Sequence, residues 1–252
     1  GLAMAYNLIL TKHNQYFDTN ITRDISWRIK QLQAIKLLVL ENEQDLLNAL
    51  QDDLAKPTLE AWITEVSYVT SDVDHVCKHL KKWVKPRKVS TPLVVQPGKS
   101  FIRPEPQGTV LIIGAWNYPL QLVLAPLVAV IAAGNCAVIK PSELAPAVST
   151  LITKLIPKYL DNNAVSVIEG GVEETTELLA LPFNHIMYTG NGQVARIVMS
   201  AAAKNLTPVT LELGGKSPVY IDETVDLNIT AQRIAWGKWM NAGQTCIAPD
   251  YL

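Results

Sequence analysis

One cysteine of the chain lies among residues that are typical of a reactive thiol site. Cys246 sits in the segment NAGQTCIAPDYL, where Gly243 permits a close turn and two polar residues precede the thiol. Three bulky apolar residues around the end of the preceding predicted helix would form a wall: Trp236, Trp239 and Met240. A thiol beside such a wall suits a hydrophobic carbonyl substrate. The alternative is that Cys246 is an inert, small core residue.

A turn between a predicted strand and a predicted helix has the spacing of a nucleotide site. It fits the dinucleotide fingerprint G-x-G-x-x-G/A, which follows a strand and opens a helix. The turn comprises Gly190, Asn191, Gly192, Gln193, Val194 and Ala195. Backbone N–H groups at a helix N-terminus suit an anion such as a pyrophosphate. The alternative is an ordinary strand-to-helix connection.

An acidic residue in the next predicted strand supports two interpretations. The fingerprint expects an acid about 20 residues further on that holds a ribose, and Glu212 lies near that spacing. The same carboxylate could instead serve as a catalytic base. The residues alone leave both roles open.

Three polar residues at the ends of earlier predicted strands are further candidates. Lys140 ends the strand CAVIK, and Glu143 lies in the first turn of the next predicted helix, with Ser142 as its cap. This lysine and carboxylate could hold sugar hydroxyls, or they could be a solvated lysine beside a helix cap. Asn117 in GAWNYP could donate to a developing oxyanion, or it could stabilise the turn before Pro119.

The elements that must position these residues alternate between strand and helix from Gly108 onward. The predicted strands are TVLIIG, CAVIK, AVSVIEG, HIMYTG and PVTLEL, each followed by a helical pattern or a new unit. Such alternation implies parallel βαβ units with right-handed crossovers. We therefore expect an α/β fold with a doubly wound, Rossmann-like parallel sheet, whose ligand lies at the carboxyl ends of the strands.

The flanking segments complete the predicted organisation. Helical apolar spacing covers 21–54 and about 59–84, so helices should precede the sheet. The proline-punctuated stretch 85–107 predicts a hairpin excursion. SPVYID and DLNITAQRIAWGKWMN predict a strand and a helix after the sheet. We expect one domain over 1–212 and the start of a second α/β domain over 213–252.

Composition narrows the classes of function. The 252-residue chain has a net charge of −1, so no basic field favours nucleic acid. Its longest apolar run, 119–134, is too short to span a bilayer, and no secretory leader is evident. Three cysteines form no framework, and no metal-ligand spacing occurs; His75 and His79 are expected on a solvated helix face. We expect a cytoplasmic protein with a small-molecule substrate and no metal.

The motifs together resemble one family. VTLELGGKSPVYID followed by GQTCIAPDYL resembles the aldehyde dehydrogenase superfamily, and GAWNYP, VIKPSEL and YTGNGQVARIV match it in the expected order. The N-terminal ISWRIKQLQAIKLLVLENEQDLLNALQDDLAKP is similar to the class 3 branch, which includes fatty-aldehyde enzymes. The resemblance runs from about Asn14 to Leu252.

This resemblance implies an activity and a role for each candidate residue. The activity is oxidation of aldehydes to carboxylic acids with NAD or NADP, through a cysteine thiohemiacetal and thioester. Cys246 is implied as nucleophile, Asn117 and the Cys246 N–H as oxyanion donors, and Glu212 as general base. Lys140 and Glu143 are implied to hold the adenosine ribose, the 190–195 turn the pyrophosphate, and Trp236 and Met240 the aldehyde tunnel.

The chain also departs from the pattern of the superfamily. Ala195 stands where glycine is common, which could alter cofactor affinity. Members continue well past the cysteine and form oligomers, so the resemblance implies a homodimer in the complete protein, with a C-terminal arm pairing near 91–103. Two alternatives stay open: a truncated, non-catalytic dinucleotide-binding fragment, and an acylating enzyme that passes the thioester to coenzyme A. Glu212 argues against the second, because a positioned base favours water.

Overall fold

In the computed structural model, which describes residues 1–252, helices come before the sheet. Their bounds are α1 Leu2–Asp18, α2 Ile25–Glu41, α3 Glu43–Leu54, α4 Thr58–Ala61 and α5 Ser67–Trp83, with a π-helical segment Trp62–Val66 between the last two. The predicted helical stretch 21–54 divides into two helices at Asn42, and α2 begins where the Asp24 carboxylate accepts the Ser26 N–H at 2.9 Å. Helix α1 was not predicted.

Five parallel strands form the central sheet, with the bounds β3 Thr109–Ile113, β4 Cys136–Lys140, β5 Val165–Val167, β6 His185–Gly190 and β7 Val209–Leu213. They lie side by side in the order β5-β4-β3-β6-β7. The helices between them are α6 Gln121–Ala132, α7 Pro146–Tyr159, α8 Val172–Leu179 and α9 Gly192–Lys204. This arrangement confirms the predicted α/β fold and all five predicted strands.

Helices cover both faces of this sheet, and the strand residues alternate between two apolar clusters. Val110 and Ile112 pack into the cluster that contains α2, α3, α5, α6 and α7 residues. Leu111 and Ile113 pack into the cluster that contains α1, α8 and α9 residues. Because side chains of a strand point alternately to opposite faces, this division confirms the doubly wound arrangement.

The predicted cap of helix α7 is wrong. The helix begins at Pro146, so Glu143 precedes it and does not lie in its first turn. The cap comes from α3, where the Asp53 carboxylate accepts the N–H groups of Ala147 and Val148 at 2.9 and 2.8 Å. Ser142 instead accepts the Leu144 N–H at 3.3 Å within the preceding turn. Capping patterns compare residues that are close in sequence, so they cannot identify a capping carboxylate such as that of Asp53, which lies far from α7 along the chain.

Two smaller sheets lie outside the central one. Strands β1 Arg87–Val89 and β2 Ser100–Ile102 pair antiparallel, which confirms the predicted hairpin. Strands β8 Ser217–Pro218 and β9 Pro249–Tyr251 pair in parallel and flank α10 Leu227–Trp239. The predicted strand SPVYID is thus reduced to two residues. The division of the chain at 212/213 stays a prediction.

The structure contains no helix with both the length and the apolar character needed to cross a membrane.

Candidate functional site

The carboxyl ends of the central strands bring the candidate residues to one edge of the sheet. Strand β3 lies between β4 and β6, and its last residue, Ile113, is paired with Lys140 on one side and with Tyr188 on the other. One residue beyond Tyr188, Thr189 is paired with Glu212 of β7. The chain winds outward in both directions from β3 and β6. The crevice at such a switch point is where ligands bind in doubly wound sheets.

The predicted nucleotide turn starts helix α9 at this crevice. The Asn191 side chain caps the helix by accepting the Val194 N–H at 2.9 Å. The N–H groups of Gly192 and Gln193 make no hydrogen bond within the chain. Free N–H groups at a helix N-terminus attract an anion. The geometry of the turn therefore fits a pyrophosphate.

The start of this turn and the residue before it also fit a bound dinucleotide. A Cβ on Gly190 would lie 2.2 Å from the Tyr188 hydroxyl oxygen, so the backbone passes here without room for a side chain. The Thr189 hydroxyl is buried and has no hydrogen-bond partner. Buried polar groups are almost always paired, so this hydroxyl suits a ligand atom. Ala195 is only 2% exposed and packs in the apolar cluster beneath α9, which accommodates its methyl group.

Lys140 and Glu143 meet at the carboxyl end of β4. The Lys140 ammonium donates to the carbonyl oxygens of Pro141 and Gly170 at 2.6 and 2.7 Å, and to the Glu143 carboxylate at 3.0 Å. Partial burial acts to raise the pKa of Glu143, but hydrogen bonds from its own backbone N–H and from Lys140 lower it below its ordinary value. Glu143 is thus an ionised acceptor, and its side chain is 47% exposed to incoming hydroxyls.

The loop after β3 contacts the residues just before the cysteine. The Asn117 amide donates to the Gln244 carbonyl oxygen at 3.1 Å, and the hydroxyls of Tyr118 and Thr245 are 2.5 Å apart. A primary amide carries two N–H donors, and Asn117 uses one of them. These contacts bring Asn117 into the neighbourhood of Cys246.

The segment after Glu212 also passes beside the cysteine. A Cβ on Gly215 would lie 3.1 Å from the Cys246 carbonyl oxygen, and Ser217 is paired with Pro249. Cys246 is exposed, and its backbone N–H makes no hydrogen bond. Glu212 is exposed at the end of β7 and belongs to no ion pair. The loop after β3 and the segment after Glu212 therefore both contact the turn that contains Cys246.

The predicted apolar wall lies open to solvent. Trp236 and Trp239 are 69% and 67% exposed, and Met240 is half-buried. A groove of about 540 Å³ lined by residues of α10 and β9 includes Trp239 but neither Cys246 nor Glu212. This groove is therefore separate from the candidate chemistry, and the aldehyde tunnel stays a prediction.

Three residues that sequence reasoning missed hold these segments together. Lys56 and Glu65 form a fully buried ion pair beneath the loop after β3, and Asn241 is 4% exposed beside it. The only sequence signal is a lysine and a glutamate in the pattern AKPTLEAWITEV, which does not distinguish a buried pair from two surface charges. On α5, the rings of His75 and His79 contact each other at an interplanar angle of 40°, with centroids 4.4 Å apart.

A doubly wound parallel sheet with free N–H groups at a helix N-terminus by its switch point is typical of dinucleotide-binding α/β proteins. Residues 6–252 match the family model described as "Aldehyde dehydrogenase family", and the chain belongs to this family.

Several curated relatives and solved structures are similar over almost the whole chain. "Aldehyde dehydrogenase family 3 member A2" of Macaca fascicularis is 52% identical, over 94% of this chain and 49% of the relative. The "4,4'-diaponeurosporen-aldehyde dehydrogenase" of Staphylococcus aureus is 50% identical, over 94% of this chain and 52% of the relative. The structure "Substrate bound state of Staphylococcus Aureus AldH" superimposes with a TM-score of 0.94 at 47% identity, covering 98% of this chain and 54% of that one.

Two further matches carry cofactor names. "Aldehyde dehydrogenase, dimeric NADP-preferring" of Canis lupus familiaris is 49% identical, over 94% of this chain and 52% of the relative. A Mycobacterium tuberculosis aldehyde dehydrogenase complexed with NAD+ superimposes with a TM-score of 0.87 at 26% identity, over 98% of this chain and 51% of that one. The chain spans about half the length of the curated relatives it matches. The predicted class 3 resemblance and the predicted choice of NAD or NADP agree with these names.

Proposed function

We propose that the full-length natural protein containing these residues oxidises aldehydes to carboxylic acids with NAD or NADP. The observation that carries the proposal is the convergence at one sheet edge. The loop of Asn117, the segment after Glu212 and the turn of Cys246 meet there, and the anion-binding turn lies at the same edge. Membership of the aldehyde dehydrogenase family supports it.

Cys246 is the proposed nucleophile. Its thiolate forms a C–S bond to the aldehyde carbon, and the carbonyl π electrons move to oxygen to give the anion of a thiohemiacetal. The exposed thiol is accessible to substrate. The free N–H of Cys246 and the second amide N–H of Asn117 are the donors that would stabilise the oxyanion.

Glu212 is the proposed base of the second half-reaction. A bound NAD(P)+ would accept the hydride from the thiohemiacetal carbon, which leaves a thioester on Cys246. Glu212 then takes a proton from the water that attacks this thioester, and the thiolate leaves as the acid forms. The exposure of Glu212 gives it access to water. This role, and not the ribose-binding one, is the one we assign to Glu212.

We propose that the remaining candidate residues at this sheet edge bind the cofactor. The turn 190–195 would bind the pyrophosphate through the free N–H groups of Gly192 and Gln193. The ionised Glu143 would accept ribose hydroxyls beside Lys140, whose three hydrogens already have acceptors. The ribose would therefore contact mainly Glu143, which is the exposed member of the pair.

The proposed substrates are medium or long aliphatic, or aromatic, aldehydes. Membership of the aldehyde dehydrogenase family supports an aldehyde substrate. We also propose a cytoplasmic, reducing environment, which agrees with three unpaired cysteines.

A homodimer is proposed for the complete protein. The β1–β2 hairpin connection exposes apolar residues, with Leu93 89% and Val94 92% exposed. Exposed apolar residues grouped in this way mark interaction surfaces, and one relative is named as dimeric. Sedimentation of the full-length protein would test this state, and a monomer at micromolar concentration would contradict it.

For the 252-residue chain alone, a second candidate is dinucleotide binding without turnover. The observation that favours it is that α10, which carries the predicted substrate wall, buries none of its residues. Titrating this chain with NAD+ and assaying aldehyde oxidation separates the two candidates. Steady turnover by the isolated chain would contradict the second one.

The test of the main proposal compares two cysteine variants of the full-length protein. Cys246→Ala should lower aldehyde-dependent NAD(P)H formation by about 10³-fold or more, because losing the nucleophile removes the covalent route. Cys77→Ala, at a half-buried position on α5, is the matched control. Retained turnover in Cys246→Ala would overturn the assignment. Formation of an acyl-coenzyme A product would favour the acylating alternative.

A further inference from the structure

A buried ion pair connects the N-terminal helices to the loop of Asn117. The Lys56 ammonium and the Glu65 carboxylate are 2.8 Å apart, and both side chains are fully buried. Such a pair is costly to desolvate and persists where further hydrogen bonds satisfy its remaining donors and acceptors. The partners of these two side chains therefore show what the pair holds in place.

Those partners lie at both ends of the segment 117–121. Lys56 donates to the Asn117 carbonyl oxygen at 3.0 Å, and its ammonium lies 4.2 Å from the centroid of the Tyr118 ring. The second carboxylate oxygen of Glu65 accepts the N–H groups of Leu120 and Gln121 at 3.0 and 3.1 Å. The ion pair thus fixes the loop between β3 and α6 from beneath.

A third buried residue extends this network to the cysteine turn. Asn241 is 4% exposed and has a φ of +53°, a left-handed conformation that asparagine tolerates. Its amide donates to the carbonyl oxygens of Asn117 at 2.7 Å and of Gln244 at 3.2 Å. Its backbone N–H donates to the Glu60 carboxylate. The Asn117 carbonyl is therefore held by Lys56 and by Asn241 together.

We propose that Lys56, Glu65 and Asn241 are positioning residues for the reaction at Cys246. They fix the mutual geometry of the Asn117 amide and the turn that presents the thiol. This inference rests on the function proposed above. None of the three contacts the reacting atoms in this account, so none is a catalytic residue.

The effect expected of such a network is selective. A misplacement of about 1 Å at reacting groups can lower a rate about 10²-fold. The hydrogen bonds of the network reach the loop after β3 and the cysteine turn, and none of them reaches the 190–195 turn or Glu143. Loosening it should therefore lower kcat for aldehyde oxidation and leave cofactor affinity unchanged.

The first test uses two adjacent residues with the same backbone conformation. Asn241→Gly removes both amide hydrogen bonds, and Ala242→Gly is the control, because Ala242 has a φ of +54° and is exposed. Glycine adopts left-handed conformations without strain, so both variants should fold. In the full-length protein, Asn241→Gly should lower kcat about 10- to 100-fold, while Ala242→Gly stays within about twofold of the unsubstituted protein. The Kd for NAD(P)+ should change less than about twofold in either.

A second variant removes the ion pair without stranding a charge. Lys56→Met with Glu65→Leu replaces both charges by apolar groups, a change that buried pairs often tolerate. The control is Lys36→Met with Asp74→Leu, which removes an exposed pair of similar length, 2.7 Å. The first double variant should retain its far-ultraviolet circular dichroism and cofactor Kd but lose kcat about 10-fold or more. The control should retain its far-ultraviolet circular dichroism, its cofactor Kd and its kcat.

The outcomes separate this inference from the proposed function. Equal kcat in Asn241→Gly and Ala242→Gly, or a Lys56→Met/Glu65→Leu protein with unchanged kcat, would overturn the positioning role. Loss of cofactor affinity in parallel with kcat would also overturn it, because the defect would then be general. Full turnover by Cys246→Ala would instead remove the function on which the inference rests.

Discussion

Two regions of the molecule are built on different physical principles. Every residue of the central strands β3 and β4 is buried, whereas between 213 and 252 only Asn241 and Ala248 are buried. The contrast holds between helices of similar length, because α6 buries six residues and α10 buries none. The sheet is stabilised by apolar burial, and the cysteine turn is fixed to it by hydrogen bonds through Asn241, Asn117 and Tyr118.

This difference separates the region proposed to bind the cofactor from the region proposed to carry the nucleophile. The turn that would bind the dinucleotide begins a helix packed on the apolar core. The turn that presents Cys246 depends on a few polar contacts, so its geometry should respond to single hydrogen bonds. Substitutions in the two regions should therefore affect different observables: stability and cofactor binding in one, turnover in the other.

The largest expected effect is on stability, and it compares one leucine from each of the two regions. Leu124→Ala in α6, where the side chain is 0% exposed, should destabilise the protein by about 2–5 kcal/mol through lost burial and a cavity. Leu227→Ala in α10, where the side chain is 72% exposed, should change stability by less than about 0.5 kcal/mol. Urea unfolding followed by circular dichroism measures both. Equal destabilisation by the two variants would contradict the division.

A smaller effect tests the cofactor side alone. Gly190→Ala places a methyl 2.2 Å from the Tyr188 hydroxyl oxygen, so the turn must shift. We expect the Kd for NAD(P)+ to rise about 10-fold, or roughly 1.4 kcal/mol, measured by fluorescence titration. Adding Tyr188→Phe removes the oxygen but leaves the ring carbon Cζ 2.6 Å from the methyl, so it should restore only part of the affinity. A Gly190→Ala protein with unaltered Kd would show that the turn does not contact the cofactor.

The smallest effect concerns pH and the anchoring of α1. His13 is fully buried, with Nδ1 2.6 Å from the Asn163 carbonyl oxygen and Nε2 2.7 Å from the Ser166 hydroxyl. Burial lowers the pKa of His13 below 6.5, its ordinary value, so folding favours the neutral ring. The unfolded chain then binds more protons, and this stability is present above pH 6.5 and is lost as pH falls through the folded-state pKa.

His13→Asn should flatten this dependence, which urea unfolding between about pH 5 and 7 can measure. His185, whose pKa is also lowered by burial, leaves a residual slope. An unaltered slope in the variant would contradict the assignment to His13.

The sequence predicted the strands of the sheet better than it predicted the helix α1 and the polar contacts that hold the surrounding segments in place. The bounds of β4 and β6 agree with the predicted strands CAVIK and HIMYTG, because alternating βα elements carry clear apolar runs and turn residues. Helix α1 was missed although its buried residues, Tyr6, Leu10 and His13, have helical spacing, because two of them are polar. The cap that Asp53 provides and the pair Lys56–Glu65 depend on contacts between distant segments, which composition and spacing do not reveal.

Among the site residues, the sequence identified the turn, the strand ends and the cysteine, but not what brings them together. The family resemblance supplied the order of the motifs and the implied roles. The approach of Gly215 to Cys246 and the sharing of the Asn117 carbonyl by Lys56 and Asn241 appear only in three dimensions.

The most direct test of the central claim is a single-turnover measurement on Glu212→Gln in the full-length protein. If Cys246 is the nucleophile and Glu212 the base, mixing with aldehyde and NAD(P)+ should release about one equivalent of NAD(P)H per site and then stop. Mass spectrometry of the quenched protein should find the acyl group on the peptide that contains Cys246. Steady turnover without an adduct, or an acyl group on another residue, would contradict the account.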